Sequence, residues 1–168
     1  PEGLNFIPLN EVSTKESYPI VVYVGRLKRA KRPDHAIKAF KIVKKTVPKA
    51  ELWIIGDGYF RKDLEKIATD GVKFFGCLPN EERRELVERA WVLINPSVRE
   101  GFGLNVVEAG ALSVPCVAYG VPGLRDSIQN GETGLLVKPG DIQALAEGLL
   151  KVLDDEKSRK FFSENALE

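Results

Sequence analysis

Two periodicities alternate along this chain. Short, mostly apolar runs fall at 20–25, 50–55, 72–75, 91–94, 115–118 and 134–137, broken by a charge only at Glu51 and Lys73. Between them lie longer stretches in which apolar positions recur every three or four residues. The short runs, rich in Val, Ile and aromatic residues and closed by Gly or Pro, predict buried strands. The longer stretches predict amphipathic helices over 33–46, 60–69, 80–90, 104–111, 142–153 and 156–166. In the first of these, Ala36, Ile37, Phe40 and Val43 form one stripe, and Pro33 suits the opening turn. In the second, Leu64, Ile67 and Ala68 are expected to face inward. Asn80 is expected to cap the third, with Glu81 and Glu82 placed as the helix dipole prefers. Asp141 is expected to cap the fifth. Asp154-Asp155-Glu156 reads as a helix stop followed by a new cap, in preference to a metal-carboxylate motif.

Strictly alternating strands and helices imply an α/β domain with a doubly wound, Rossmann-like parallel sheet covered on both faces. The strands are apolar throughout, as burial on both faces requires. Residues 20–168 are expected to form this single domain. Residues 1–19 lack periodicity and read as a linker or lead-in. At 168 residues the chain is long enough for a substantial core.

Charge narrows the classes of function. Lys plus Arg number 25 and Asp plus Glu 24, a formal net charge of +1. That balance argues against nucleic-acid or acidic-membrane binding by bulk electrostatics, though not against a local cationic cluster. No apolar run is long enough for a membrane span, and the N-terminus lacks the pattern of a signal peptide. Cys77 and Cys116 sit among apolar neighbours and read as two small buried residues in a reducing, cytoplasmic setting. His35 is the single histidine, which leaves little support for a histidine metal site or a Ser-His pair. The chain holds no methionine and begins at Pro1, which reads as a piece of a longer protein in preference to a processed chain.

In open α/β sheets ligands bind beyond the carboxyl ends of the strands. Those ends read Gly25-Arg26, Gly56-Asp57-Gly58, Gly76, Asn95-Pro96 and Tyr119-Gly120. Together the glycines suggest a floor that a ligand can approach closely, although tight turns would use them equally. The strongest single feature is Arg99-Glu100-Gly101-Phe102-Gly103-Leu104-Asn105-Val106-Val107-Glu108. Its glycines open a helix whose first N–H groups can receive an anion. Glu100 and Glu108 would repel a phosphate, so they suit hydroxyls on a sugar and a ribose. A second feature is Gly25-Arg26-Leu27-Lys28-Arg29-Ala30-Lys31-Arg32. Arg26 sits at the mouth of the first strand, where a guanidinium can grip phosphate, while Lys28, Arg29 and Arg32 read as solvated. There is no phosphate-binding Walker sequence, and no Gly-x-Gly-x-x-Gly follows the first strand.

At these residues the chain resembles the C-terminal domain of the retaining GT-B glycosyltransferases of family four, the glycosyl transferases group 1. Glu100 and Glu108 match its two glutamates separated by seven residues. Val24-Gly25-Arg26-Leu27 with Lys31 matches its Gly-Arg…Lys segment. Ile55-Gly56-Asp57-Gly58, Phe75-Gly76, 130–137 and Pro139-Gly140-Asp141 match further stretches in order, over roughly residues 18–155. Gly120-Val121-Pro122-Gly123-Leu124-Arg125-Asp126 departs from the usual Gly-Val-Pro-Glu.

The resemblance implies that Arg26 and Lys31 hold the diphosphate of a UDP- or GDP-linked sugar. It gives Glu108 the ribose and Glu100 the donor sugar. Gly25, Gly101, Phe102, Gly103 and Leu104 would line the donor site, with Leu78 near the base. It implies transfer with retention and without a metal or other cofactor. The acceptor would come from a separate N-terminal domain, without which this chain is expected to be inactive and through which alone any peripheral membrane association would arise. Two other readings share the cleft: a sugar-nucleotide epimerase of the same shape, and a non-catalytic nucleotide-binding module.

Overall fold

The computed structural model describes residues 15–101 and 103–167. Six parallel strands form one sheet: β1 (Ile20–Val24), β2 (Glu51–Ile55), β3 (Val72–Gly76), β4 (Val92–Asn95), β5 (Cys116–Tyr119) and β6 (Gly134–Val137). Their spatial order is β3-β2-β1-β4-β5-β6. The chain therefore winds outward from β1 to one edge, then returns past β1 to build the other half. The reversal opens a crevice between the carboxyl ends of β1 and β4, the usual ligand position in such sheets.

The helices are α1 (Pro33–Thr46), α2 (Arg61–Ile67), α3 (Asn80–Arg89), α4 (Leu104–Ala111), α5 (Pro122–Ser127), α6 (Ile142–Asp154) and α7 (Glu156–Leu167). Helix α1 packs against α2 and α6, while α4 packs against α5 and α7. Right-handed crossovers put these two groups on opposite faces of the sheet. The four central strands are almost wholly buried, whereas the edge strands β3 and β6 are only half covered. The expected doubly wound α/β architecture is the one observed.

Local departures have physical causes. The stripe Ala36, Ile37, Phe40 and Val43 is fully buried, but Ile67 is 41% exposed. Helix α2 stops there because Ala68 turns extended (ψ 139°), so the inward register breaks. Asn80 is not a cap. Pro79 holds the cap position, and Asn80 is the first helical residue. Asp141 does cap α6, accepting from the Ala144 N–H at 2.9 Å. Asp155 closes α6 and opens α7, accepting from both the Ser158 N–H and its hydroxyl. Cys77 is exposed rather than buried, since β3 is an edge strand that ends just before it, whereas Cys116 lies inside β5. Helix α5 was not foreseen. Of the proposed lead-in, residues 1–14 fall outside the described residues. Lys15 and Glu16 are bonded to the domain, with the Trp91 indole N–H donating to the Glu16 carbonyl at 2.9 Å.

Candidate functional site

The rim of the crevice is built by three loops stitched to one another through backbone groups. The β1–α1 loop meets the β2–α2 loop where the Leu27 N–H donates to the Asp57 carbonyl and the Phe60 N–H donates to the Leu27 carbonyl, both at 3.0 Å. This contact explains the glycines at the second strand's end. A Cβ on Gly56 would lie 1.9 Å from the Gly25 carbonyl oxygen. Gly56 is thus required by backbone packing, as the tight-turn reading of these glycines expects.

The β1–α1 loop also meets the β4–α4 loop. The Val98 N–H donates to the Ala30 carbonyl at 3.0 Å. The Ser97 hydroxyl lies 2.6 Å from the Arg99 carbonyl and 3.3 Å from that of Ala30. Among the described residues Ser97 and Asn95 are the buried polar residues of the core, 1% and 4% exposed. Asn95 accepts from the Ser97 N–H and donates to Asn105 at 3.1 Å. Asn105 in turn donates to the Val24 carbonyl at 2.7 Å. One amide chain therefore fixes the start of α4 to the ends of β1 and β4.

This stitching brings two of the sequence candidates into contact. Lys31, in the 3-10 turn Arg29–Lys31, forms an ion pair and hydrogen bond with the Glu100 carboxylate. Glu100 is only 11% exposed and Lys31 27%. The negative charge of Glu100 reaches inward. Burial first, and Glu100 second, raise the ionisation of Tyr23 and Cys116 far above their ordinary values.

Gly103 occupies the N-cap of α4, where it brings no side chain to cap the helix, and Leu104 beside it is 68% exposed. Intrahelical bonding begins with the Val106 and Val107 N–H groups, which donate to the Gly103 carbonyl. The N–H groups that precede them form the open, positive end of the helix. Gly101 is exposed, and its Cα faces open space. Phe102 lies outside the described residues.

Arg26 follows β1 on the same rim. Its guanidinium makes no hydrogen bond or ion pair among the described residues, while its carbonyl accepts from the Tyr23 hydroxyl at 3.0 Å. Glu108 stands apart from the Lys31–Glu100 pair. It projects from α4 towards α3 and lies 3.5 Å from Arg83. The groove between these helices is a cavity of about 290 Å³ whose walls include Val24, Asn80, Arg83, Asn105 and Glu108. Leu78 lies half-buried between β3 and α3. His35 does not reach this rim chemistry, since its Nδ1 is engaged with the Tyr119 hydroxyl at 2.7 Å.

Four contributors have roles that their place in the sequence does not show. Asn95, Ser97 and Asn105 look like ordinary polar residues until the loops meet. Gly123 in α5 is the fourth: a Cβ there would come 2.2 Å from the Glu100 carbonyl oxygen. The glycine lets α5 press directly on the Glu100 loop.

Residues 9–168 match the family described as glycosyl transferases group 1. The chain belongs to that family. It is 35% identical to the 2-deoxystreptamine glucosyltransferase of Streptomyces kanamyceticus, a match covering 84% of this chain and 38% of that protein. To the sulfoquinovosyl transferase of Arabidopsis thaliana it is 34% identical, covering 89% of this chain and 29% of the relative. The chain thus spans well under half the length of these group 1 relatives. Among solved structures, the sucrose-phosphate synthase of Thermosynechococcus elongatus superimposes with a TM-score of 0.80 at 29% identity, over 90% of this chain and 40% of that one. The Anabaena protein HepE, solved with UDP-glucose, gives 0.81 at 24% identity over 90% and 43%. The doubly wound sheet is that of the C-terminal domain of GT-B transferases. No described helix is long and apolar enough to cross a membrane.

Proposed function

We propose that this chain is the donor-binding domain of a retaining glycosyltransferase and that its substrate is a nucleoside-diphosphate sugar. The observation that supports this reading is the pairing of Lys31 with Glu100 where the β1–α1 and β4–α4 loops meet, next to the uncapped start of α4, with Arg26 following β1. The diphosphate of the donor lies against the cations and the helix start, where fixed dipoles and charges meet the phosphate oxygens. Glu108 accepts hydrogen bonds from the ribose hydroxyls, and the α3–α4 groove receives the nucleoside beside Leu78. Glu100 accepts from hydroxyls of the transferred sugar.

Breaking the sugar–phosphate bond places negative charge on the departing diphosphate. Arg26, Lys31 and the α4 N–H groups oppose that charge more strongly in the transition state than in the ground state, which is what lowers the barrier. On this account no metal is needed. The acceptor binds to a second domain, which stands N-terminal in the whole protein and closes over the rim, and attacks from the leaving-group side so that configuration is kept. The domain alone binds nucleotide and transfers nothing, and it works in the cytoplasm. The relatives' transferase names and the UDP-glucose bound to HepE support this reading.

Calorimetric titration with UDP and with GDP tests it. One of the two should bind, and Arg26→Ala and Glu108→Ala should each weaken that binding about tenfold, the loss of a charged hydrogen bond. Absence of binding by either nucleotide at millimolar concentration removes the proposal.

A further inference from the structure

We infer that Glu100 expels the spent nucleoside diphosphate, acting through its ion pair with Lys31. This rests on the donor-site reading above and adds a role in product release. The Glu100 carboxylate is neutralised by the Lys31 ammonium, which also reaches the Arg99 carbonyl at 3.4 Å. No other cation pairs with Glu100 among the described residues. At 11% exposure, water does little to replace that partner.

A diphosphate that enters the crevice competes for Lys31. As the ammonium turns to phosphate, Glu100 loses its counter-charge and faces a second anion across a poorly hydrated gap. Two like charges at such separations repel strongly where solvent is excluded. An intact donor relieves this, because sugar hydroxyls donate to the stranded carboxylate. Once the sugar has left, nothing does. The bare nucleotide then holds Lys31 against both its repulsion by Glu100 and the tendency of the ion pair to re-form. Glu100 therefore weakens the product specifically, unlike Glu108, whose ribose contacts persist before and after transfer.

The test is titration of the whole 168-residue chain with UDP and GDP, comparing the native protein with Glu100→Gln and Glu100→Ala. Arg26→Ala and Glu108→Gln serve as references. Both Glu100 variants should bind the preferred nucleotide about tenfold more tightly, and the gain should shrink as salt is raised. A Glu100 that served only to hold its loop would give the opposite result, with weaker binding in both variants. If the reference variants lose affinity while the Glu100 variants are unchanged or weaker, the donor site stands and the release role is overturned. If the reference variants also bind as the native chain does, the donor site itself is wrong and the inference falls with it.

Discussion

Gly123 shows how a single missing side chain can set the geometry of a site it does not line. Its Cα is so close to the Glu100 loop that a methyl group would overlap two carbonyls, 2.2 Å from Glu100 O and 2.6 Å from Gly101 O. Neither is the flexible end of a side chain, so the backbone itself must yield. Gly123→Ala should therefore push α5 from the loop, loosen the Lys31–Glu100 pair and disturb the start of α4. The expected outcome is a stability loss of roughly 1–3 kcal/mol, with nucleotide affinity reduced about fivefold or more. Urea unfolding and calorimetry on the same preparation separate the two effects. Native affinity in this variant would show that α5 does not shape the loop. Nothing in the sequence around 120–126 announces this role, because the atoms Gly123 must avoid belong to another loop. Glu100 and Glu108, by contrast, stand out in the sequence by their spacing about a glycine pair at a helix start; the structure sets Glu100 against Lys31 and Glu108 farther along α4, facing Arg83 of α3.

Among the elements, α1, α4 and β6 run over the residues the pattern predicts, because each carries either an apolar stripe or a short apolar run bounded by glycine and proline. Helix α5 was illegible for the converse reason. Six residues are too few to display a period, and Pro-Gly within them reads as a turn. What the pattern could not supply at all is how elements are joined. Asn105 illustrates this. It sits in the first turn of α4, yet its side chain bridges the Val24 carbonyl of β1 and the Asn95 amide of β4. Asn105→Ala would strand both partners in a poorly hydrated crevice. The expected cost is about 2 kcal/mol, more than one neutral hydrogen bond, because unpaired groups remain. The helix start should also shift, so nucleotide binding should weaken in step. A urea midpoint within error of the native one would show that the bridge holds nothing.

Across the whole molecule, the halves of the sheet are joined by contacts that respond to solution conditions, and the His35–Tyr119 bond is one of them. It ties the first turn of α1 to the last residue of β5, across the reversal in strand order. Burial lowers the His35 pKa below its ordinary 6.5, with Asp34 acting in the other direction and Arg32 and Lys38 adding to the lowering. Tyr119 is pushed up to about 12, chiefly by burial, so it stays a neutral hydroxyl throughout the range of interest. A histidine whose folded pKa is depressed takes up fewer protons folded than unfolded. Stability is then constant above the unfolded value and declines as pH falls through 6.5 towards the folded pKa. His35 is partly exposed, so solvent moderates the decline. Thermal melts between pH 8 and 5.5 should show the native protein losing more stability below about pH 6.5 than His35→Gln, whose amide can still bond Tyr119 but cannot titrate. Carboxylates titrate in both proteins and cancel in the comparison. Parallel melting curves would mean that the α1–β5 junction carries no pH dependence.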